Sequence, residues 1–179
     1  MKNRVVKYCF ELSFLILSFS GFVKAQSQEE VIKTAYLEKF SSYITWPESH
    51  AFDDQLFNIT VVGDESFCLT VKKAFVNRKI KNLKVEVTCL DALREVPPTD
   101  LLFLQSEKIK DLEYAAELSR ENTFLLVTDA EGFAQKGSHI NFYITNKQTI
   151  HFEMNKKRLD QDKYKVEYLL FEFAKVITN

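Results

Sequence analysis

Gly132 to Asn155 reads GFAQKGSHINFYITNKQTIHFEMN, and the fold of the 179-residue chain turns on this stretch. On either side of Asn146-Lys147 lie HINFYIT and QTIHFEM, which alternate or nearly alternate apolar and polar residues and are rich in Ile, Phe, Tyr and Thr. Such runs predict the two strands of a hairpin. Because side chains alternate across a strand, Ile140, Phe142 and Ile144 share a face with Ile150, Phe152 and Met154, so one face is buried and the other solvated. Gly132 and Gly137 bracket the approach, where the chain must bend in ways a Cβ resists. Asn155 is placed to cap a helix that follows the hairpin.

Upstream of the hairpin, strand patterns alternate with helical ones. Leu56 to Gly63 (LFNITVVG) is β-branched and ends in glycine, Leu83 to Cys89 (LKVEVTC) alternates cleanly, and Asp100 to Leu104 and Thr123 to Thr128 are continuous apolar runs. Continuous apolar strands are those covered on both faces. Between them, Glu29 to Ile44, Phe67 to Val76 and Ile109 to Leu118 carry apolar residues at helical spacing, and Trp46-Pro47 ends the first. Tyr164 to Ile177 places Val166, Leu169, Leu170, Phe173, Ala174 and Ile177 at the same spacing, which predicts a terminal helix with an apolar face. Strand-helix alternation implies parallel pairing with right-handed crossovers. The expected fold class is α/β: a three-layer α/β/α sandwich with a mostly parallel sheet and a C-terminal β-hairpin.

The first residues carry an address rather than a fold. Lys2, Arg4 and Lys7 precede an apolar run from Leu12 to Phe22, and Val23-Lys24-Ala25 ends in small residues, the pattern of a secretory signal cleaved after Ala25. The run is shorter than the ~20 apolar residues a membrane-spanning helix needs. Residues 1–25 are therefore expected to be a signal peptide, and 26–179 a single, soluble, periplasmic domain that does not insert into the membrane. Their removal takes four basic residues and one acidic, leaving 20 basic and 24 acidic, a net charge near −4. That charge argues against nucleic acid and removes a polybasic case for anionic lipid.

Of three cysteines, Cys9 leaves with the signal, and Cys68 and Cys89 remain in a compartment where disulfides persist. Parallel topology brings the start of the first crossover helix and the end of the second strand to one sheet edge, so a Cys68–Cys89 bridge is allowed but not required.

The residue patterns of catalysis are weak. Gly63-Asp64-Glu65-Ser66 stands where doubly wound folds hold phosphate, but it lacks the repeated glycines and carries two carboxylates, so it reads as a helix cap. Neither Ser66 nor Ser138 sits in a GxSxG elbow. His139 and His151, on the hairpin face opposite Ile140 and Ile150, could oppose each other as a metal or proton switch, although strand histidines without a third ligand are more often structural. Asp129 and Glu131 could form an acid/base pair by location, against the plainer reading of a solvated acidic loop. No cofactor, metal or catalytic residue is expected. The aromatics of the first helix, Tyr36, Phe40, Tyr43 and Trp46, are either core or part of a partner or dimer surface, together with the loop residues Asp129, Glu131 and Phe133.

The order and spacing of many pieces resemble the periplasmic YfiR-like family: Tyr36, Leu37 and Phe40 before Ile44-Thr45-Trp46-Pro47, the strands Ile59 to Gly63 and Asp100 to Leu104, then Val127-Thr128-Asp129, Gly132-Phe133-Ala134, Gly137, Ile140-Asn141-Phe142, Ile150, Phe152-Glu153 and Asn155. The resemblance covers nearly the whole mature chain. It implies a compact, non-catalytic α/β domain, often a homodimer, that regulates by contact. Its best-understood members hold down an inner-membrane diguanylate cyclase through the periplasmic sensory domain and so lower cyclic di-GMP and biofilm formation; others accompany sensor histidine kinases. Three positions depart from the pattern. Ser138 replaces the second glycine of a usual pair, and Thr60 and Thr99 stand where the founding members carry two disulfide-bonded cysteines. The implied activity is inhibition of a signalling enzyme by a binding protein; the alternative is a ligand-binding subunit of a sensor kinase system.

Overall fold

A computed structural model describes residues 28–53 and 55–178 of the chain. The expected signal peptide, residues 1–25 with Cys9, lies outside the described residues. A helix over residues 28–43 (α1) runs into a two-residue strand, Ile44–Thr45 (β1). There follow β2 (Leu56–Val62), α2 (Glu65–Phe75), β3 (Lys79–Ile80), β4 (Leu83–Leu90) and β5 (Leu101–Leu104). After a 3-10 turn at Ser106–Asp111 come α3 (Leu112–Asn122), β6 (Leu125–Thr128), α4 (Phe133–Lys136), β7 (Ile140–Ile144), β8 (Ile150–Asn155), α5 (Lys156–Gln161), β9 (Lys165–Val166), α6 (Tyr168–Phe173) and β10 (Lys175–Ile177).

Eight strands form one sheet in the order β10-β8-β7-β6-β5-β2-β4-β3. The pairs β4/β2, β2/β5, β5/β6, β6/β7 and β8/β10 are parallel, while β7/β8 and β3/β4 are antiparallel. The hairpin register sets Phe142 opposite Phe152, Ile140 opposite Met154 and Ile144 opposite Ile150, as alternation predicts. Helices cover both faces, because the strands bury side chains on both. Leu37 and Phe40 of α1 and Phe67, Val71 and Phe75 of α2 meet Ile59, Val61, Leu101, Phe103, Val127 and Phe142 on one face. Leu112, Ala115 and Ala116 of α3 and Phe133 of α4 meet Val62, Leu102, Leu104 and Leu126 on the other. The α/β sandwich is the expected one.

Helix ends follow the expected capping chemistry. Asp64 accepts the Phe67 amide at 3.3 Å, so Gly63-Asp64-Glu65-Ser66 is a cap, and Asn155 accepts the Arg158 amide at 2.9 Å. Gly63 has φ +146, and a Cβ there would run into the Gln105 side chain, so this glycine answers both to backbone angle and to space.

The C-terminus corrects the expectation of one long helix over Tyr164 to Ile177. Only Tyr168–Phe173 is helical, and Lys175–Ile177 becomes a sheet strand beside Glu153–Asn155. Within α6 only Leu170 is buried, so prolonging the helix would bury little, whereas β10 satisfies the open backbone edge of β8 and buries Ile177.

Candidate functional site

In open parallel sheets, ligands bind at the carboxyl ends of the strands. Here an ion-paired cluster occupies that edge at the end of β6. Lys33 of α1 reaches Asp129 at 2.7 Å and Glu29 at 2.6 Å, and the second Asp129 oxygen accepts the Ser106 amide at 2.6 Å. Burial works against the charge on Lys33, but Asp129 and Glu29 outweigh it and hold its pKa above the usual lysine value. Asp129 thus spends both oxygens on tying α1 and the turn after β5 to the end of β6. Glu131 is exposed on the following loop. Asp129 is thus held by structural partners on both oxygens, whereas Glu131 stands in solvent.

A cleft of about 680 Å³ opens at the opposite, amino-terminal edge. His50 and Asp100 stand in its wall, with Nε2 and Oδ1 2.7 Å apart. The other Asp100 oxygen accepts the Asn58 amide at 2.6 Å, and its carbonyl accepts Trp46 Nε1 at 3.0 Å. This aspartate anchors the segment after β1 onto the sheet. The cleft is acidic, with Asp53, Glu95, Asp100 and Glu121 around it, and Tyr114 forms an exposed aromatic wall. Sequence left His50 unplaced, since its partner lies 50 residues away.

The expected opposition of His139 and His151 does not occur. Tyr143 faces His151 across the hairpin, and His139 precedes β7 and turns inward, fully buried. Its Nδ1 accepts the Leu126 amide at 2.9 Å, which leaves Nε2 as the donor to Asp162 at 2.9 Å. Burial, aided by the Arg158 and Arg120 charges and opposed by Asp162, lowers the His139 pKa to about 4. Arg158, also buried, pairs with Asp162 and donates to Ala116 at 3.0 Å and to Ser119 at 2.6 Å. The cluster pins α5 to α3 and β6. It is a structural knot rather than a switch or a metal site, and no group of three metal-binding side chains occurs among the described residues.

Of the residues singled out for a contact surface, Phe40, Trp46 and Phe133 are buried in the core, and Tyr36, Tyr43 and Asp129 are half-buried. Tyr36 and Phe40 pack on Phe142 and Phe152, with ring centroids 5.0–5.8 Å apart. Trp46 is boxed by Phe57 and Tyr164. The aromatic helix is therefore mostly core. Cys68 and Cys89 form a disulfide, with Cα atoms 5.8 Å apart, that ties α2 to β4.

A cluster of exposed apolar side chains lies elsewhere, on the C-terminal segment. Tyr168 is 77% exposed, Phe173 64%, Leu169 46% and Val176 39%, all within nine residues. Beside them β10 is the last strand of its sheet, with one backbone edge unpaired among the described residues. Clustered exposed rings on an open edge are what contact surfaces offer. The signal was present in sequence as a helical apolar stripe, which periodicity assigns to the core. Among the described residues no helix is long and apolar enough to cross a membrane.

Residues 30–175 match the family model described as YfiR/HmsC-like. No curated protein matches the chain. Among solved structures, a conserved domain protein from Vibrio cholerae is similar with TM-score 0.52 and 10% identity, over 68% of this chain and 54% of that one. The chain therefore spans about half the length of that structure, and the likeness concerns fold alone. An ABC domain in complex with L-Trp from Streptococcus pneumonia reaches TM-score 0.48 at 11% identity, over 68% of this chain and 55% of that one, too distant to carry an argument.

Proposed function

The chain belongs to the YfiR/HmsC-like family, and from that premise we propose that it is a periplasmic regulator that restrains an inner-membrane diguanylate cyclase by binding its periplasmic sensory domain. The observation that carries this reading is the extent of the family match, residues 30–175, which takes in nearly every element of the folded domain. The family is regulatory rather than catalytic, and the polar clusters fit that role: Lys33–Asp129, His50–Asp100 and Arg158–His139–Asp162 are each consumed in joining one element to another.

Restraint by contact is a population shift. A ligand moves a two-state domain from mostly on to mostly off only through its preference for the off state, about 5.5 kcal/mol for a swing from 1:99 to 99:1. A rigid, disulfide-tied plug loses little entropy on docking and can devote its contact energy to that preference. The regulator works as a homodimer, formed where the open edge of β10 and the rings of α6 meet a second copy across a two-fold axis, which makes the paired edges antiparallel. Residues 1–25 serve export and are removed.

Deleting the gene should raise cellular cyclic di-GMP and surface attachment, restored by the exported chain but not by a copy lacking residues 1–25. Unchanged cyclic di-GMP across growth conditions would refute the cyclase as target.

A second reading has its own support in the amino-edge cleft, whose size suits a small ligand and whose exposed carboxylates, Asp53, Glu95 and Glu121, suit a cationic one. In that case the chain is the ligand-binding subunit of a sensor kinase system. A rise in melting temperature with an amine or polyamine would favour it.

A further inference from the structure

Net charge conceals how the charges are distributed. Lys72, Lys73, Arg78, Lys79, Lys81 and Lys84 fall within thirteen residues that contain no Asp or Glu, and all six are exposed. They gather around the end of α2 and the β3/β4 hairpin, at the sheet edge opposite β10. Lys79 stands directly across from Lys84 in the antiparallel pair, an arrangement of like charges that costs stability. The ion pair this group makes among the described residues is Arg78 with Glu38, at 2.8 Å, and its partners are 56% and 34% exposed. Such a pair is worth little and exchanges readily for another carboxylate. Edge protection explains Lys79 and Lys84, and the helix dipole favours Lys72 and Lys73. Neither explains what lies between them.

That is a groove of about 400 Å³ between α1 and α2. Its lining is chiefly apolar, from Val31, Ala35, Ala74 and Phe75, and its charged members are Lys73, Arg78 and the Glu38 that Arg78 pairs with. Val31 is 57% exposed, and just beyond the end of α2 Val76 is 70% exposed. We propose that this groove receives an amphipathic, acidic segment of the partner's periplasmic domain, apolar side chains between α1 and α2 and carboxylates on Lys73, Arg78 and the lysines beside them. The inference rests on the regulatory reading above and adds to it the place and the chemistry of contact. Charge complementarity selects the occupant: a partner carboxylate relieves the crowded lysines and can take over Arg78 from Glu38. A bilayer is a poorer fit, since the apolar side chains line a concave groove rather than project from a face, and the mature chain is net negative.

The test titrates the periplasmic domains of the host's membrane diguanylate cyclases with wild-type protein, with Lys73→Glu/Arg78→Glu and with Val31→Asp, at low and at physiological ionic strength. All three proteins are first checked for equal melting temperature; Val31 is exposed, so its change leaves the core intact. The proposal expects one domain to bind the wild type, to lose affinity by about tenfold or more in each variant, and to bind more weakly as salt rises. Equal affinity for all three proteins would overturn the groove while leaving the regulatory reading standing. Failure of every domain to bind wild type would overturn both. Flotation of wild type, but not of the charge-reversed variant, with phosphatidylglycerol/phosphatidylethanolamine vesicles would reassign the patch to lipid and so overturn the protein partner.

Discussion

The hydroxyls of Thr60 and Thr99 meet 2.7 Å apart in the buried interior, joining β2 to the residue that leads into β5. Thr99 Oγ1 also lies 2.7 Å from the Pro97 carbonyl, which can only accept, so Thr99 donates to Pro97 and Thr60 donates to Thr99. The resemblance to the family implies a bonded cysteine pair at these two positions. The same junction is held here by a hydrogen-bonded chain of hydroxyls.

The two threonines should respond unequally to valine. Thr99→Val strands the Thr60 donor and the Pro97 acceptor and should cost about 1–3 kcal/mol, whereas Thr60→Val removes one donor and should cost about 1 kcal/mol. Chemical denaturation checks the order. The Thr60→Cys/Thr99→Cys variant, secreted through an oxidising compartment, should close a second disulfide, seen as no additional free thiol after unfolding.

The Cys68–Cys89 bridge spans a sequence separation of 21 residues. A loop of that size restricts the unfolded chain by about 3 kcal/mol on the loop-entropy account. Cys68→Ala/Cys89→Ala should lower unfolding free energy by about that amount and leave the spectrum of the folded state unchanged. A thiol reagent should label neither cysteine in the oxidised native protein.

His139 makes stability depend on pH in a definite direction. Its folded pKa, about 4, lies below the unfolded value of 6.5, so the unfolded state takes up a proton that the native state refuses. Its contribution is fully present above pH ~6.5 and is lost as pH falls toward ~4, at most about 3 kcal/mol. Melting temperature followed over that window should fall on acidification. His139→Asn, which keeps an acceptor for the Leu126 amide but does not titrate, should start lower and fall less steeply.

The dimer proposed at the C-terminal edge depends on exposed rings. Phe173→Asp and Leu169→Asp should convert the protein to a monomer in light scattering while leaving its melting temperature within a few degrees, because neither side chain is part of the core. A wild type that is monomeric at high concentration would refute this interface.

Much of the fold is legible in sequence because each buried strand carries its own sign. Alternation in HINFYIT and QTIHFEM leads to the register Phe142 opposite Phe152, and the unbroken apolar runs of β5 and β6 demand cover on both faces. The terminal segment is illegible for a physical reason. Val166, Leu169, Leu170 and Phe173 do fall at helical spacing, but periodicity cannot see that β8 presents an open backbone edge for Lys175–Ile177 to fill. His139 is misplaced for a similar reason: strand alternation assigns it the solvated face, but β7 begins at Ile140 and the residue before it bends into the core toward Asp162. The proposed contact surfaces are hidden twice over. Apolar rings look alike whether buried or offered to a partner, and a net charge averages away the run from Lys72 to Lys84. Contacts such as Lys33–Asp129 and His50–Asp100 join residues 96 and 50 positions apart and leave no local trace.

The central claim is that this chain acts by touching a membrane signalling enzyme from outside. Its most direct test is a reconstituted full-length diguanylate cyclase in nanodiscs, with cyclic di-GMP formation followed as the mature protein is added to the periplasmic side. The account predicts dose-dependent loss of cyclase activity that saturates at a fixed stoichiometry and is absent for a cyclase lacking its periplasmic domain. Undiminished activity at saturating protein for every cyclase of the host, or equal inhibition of the truncated enzyme, would contradict it.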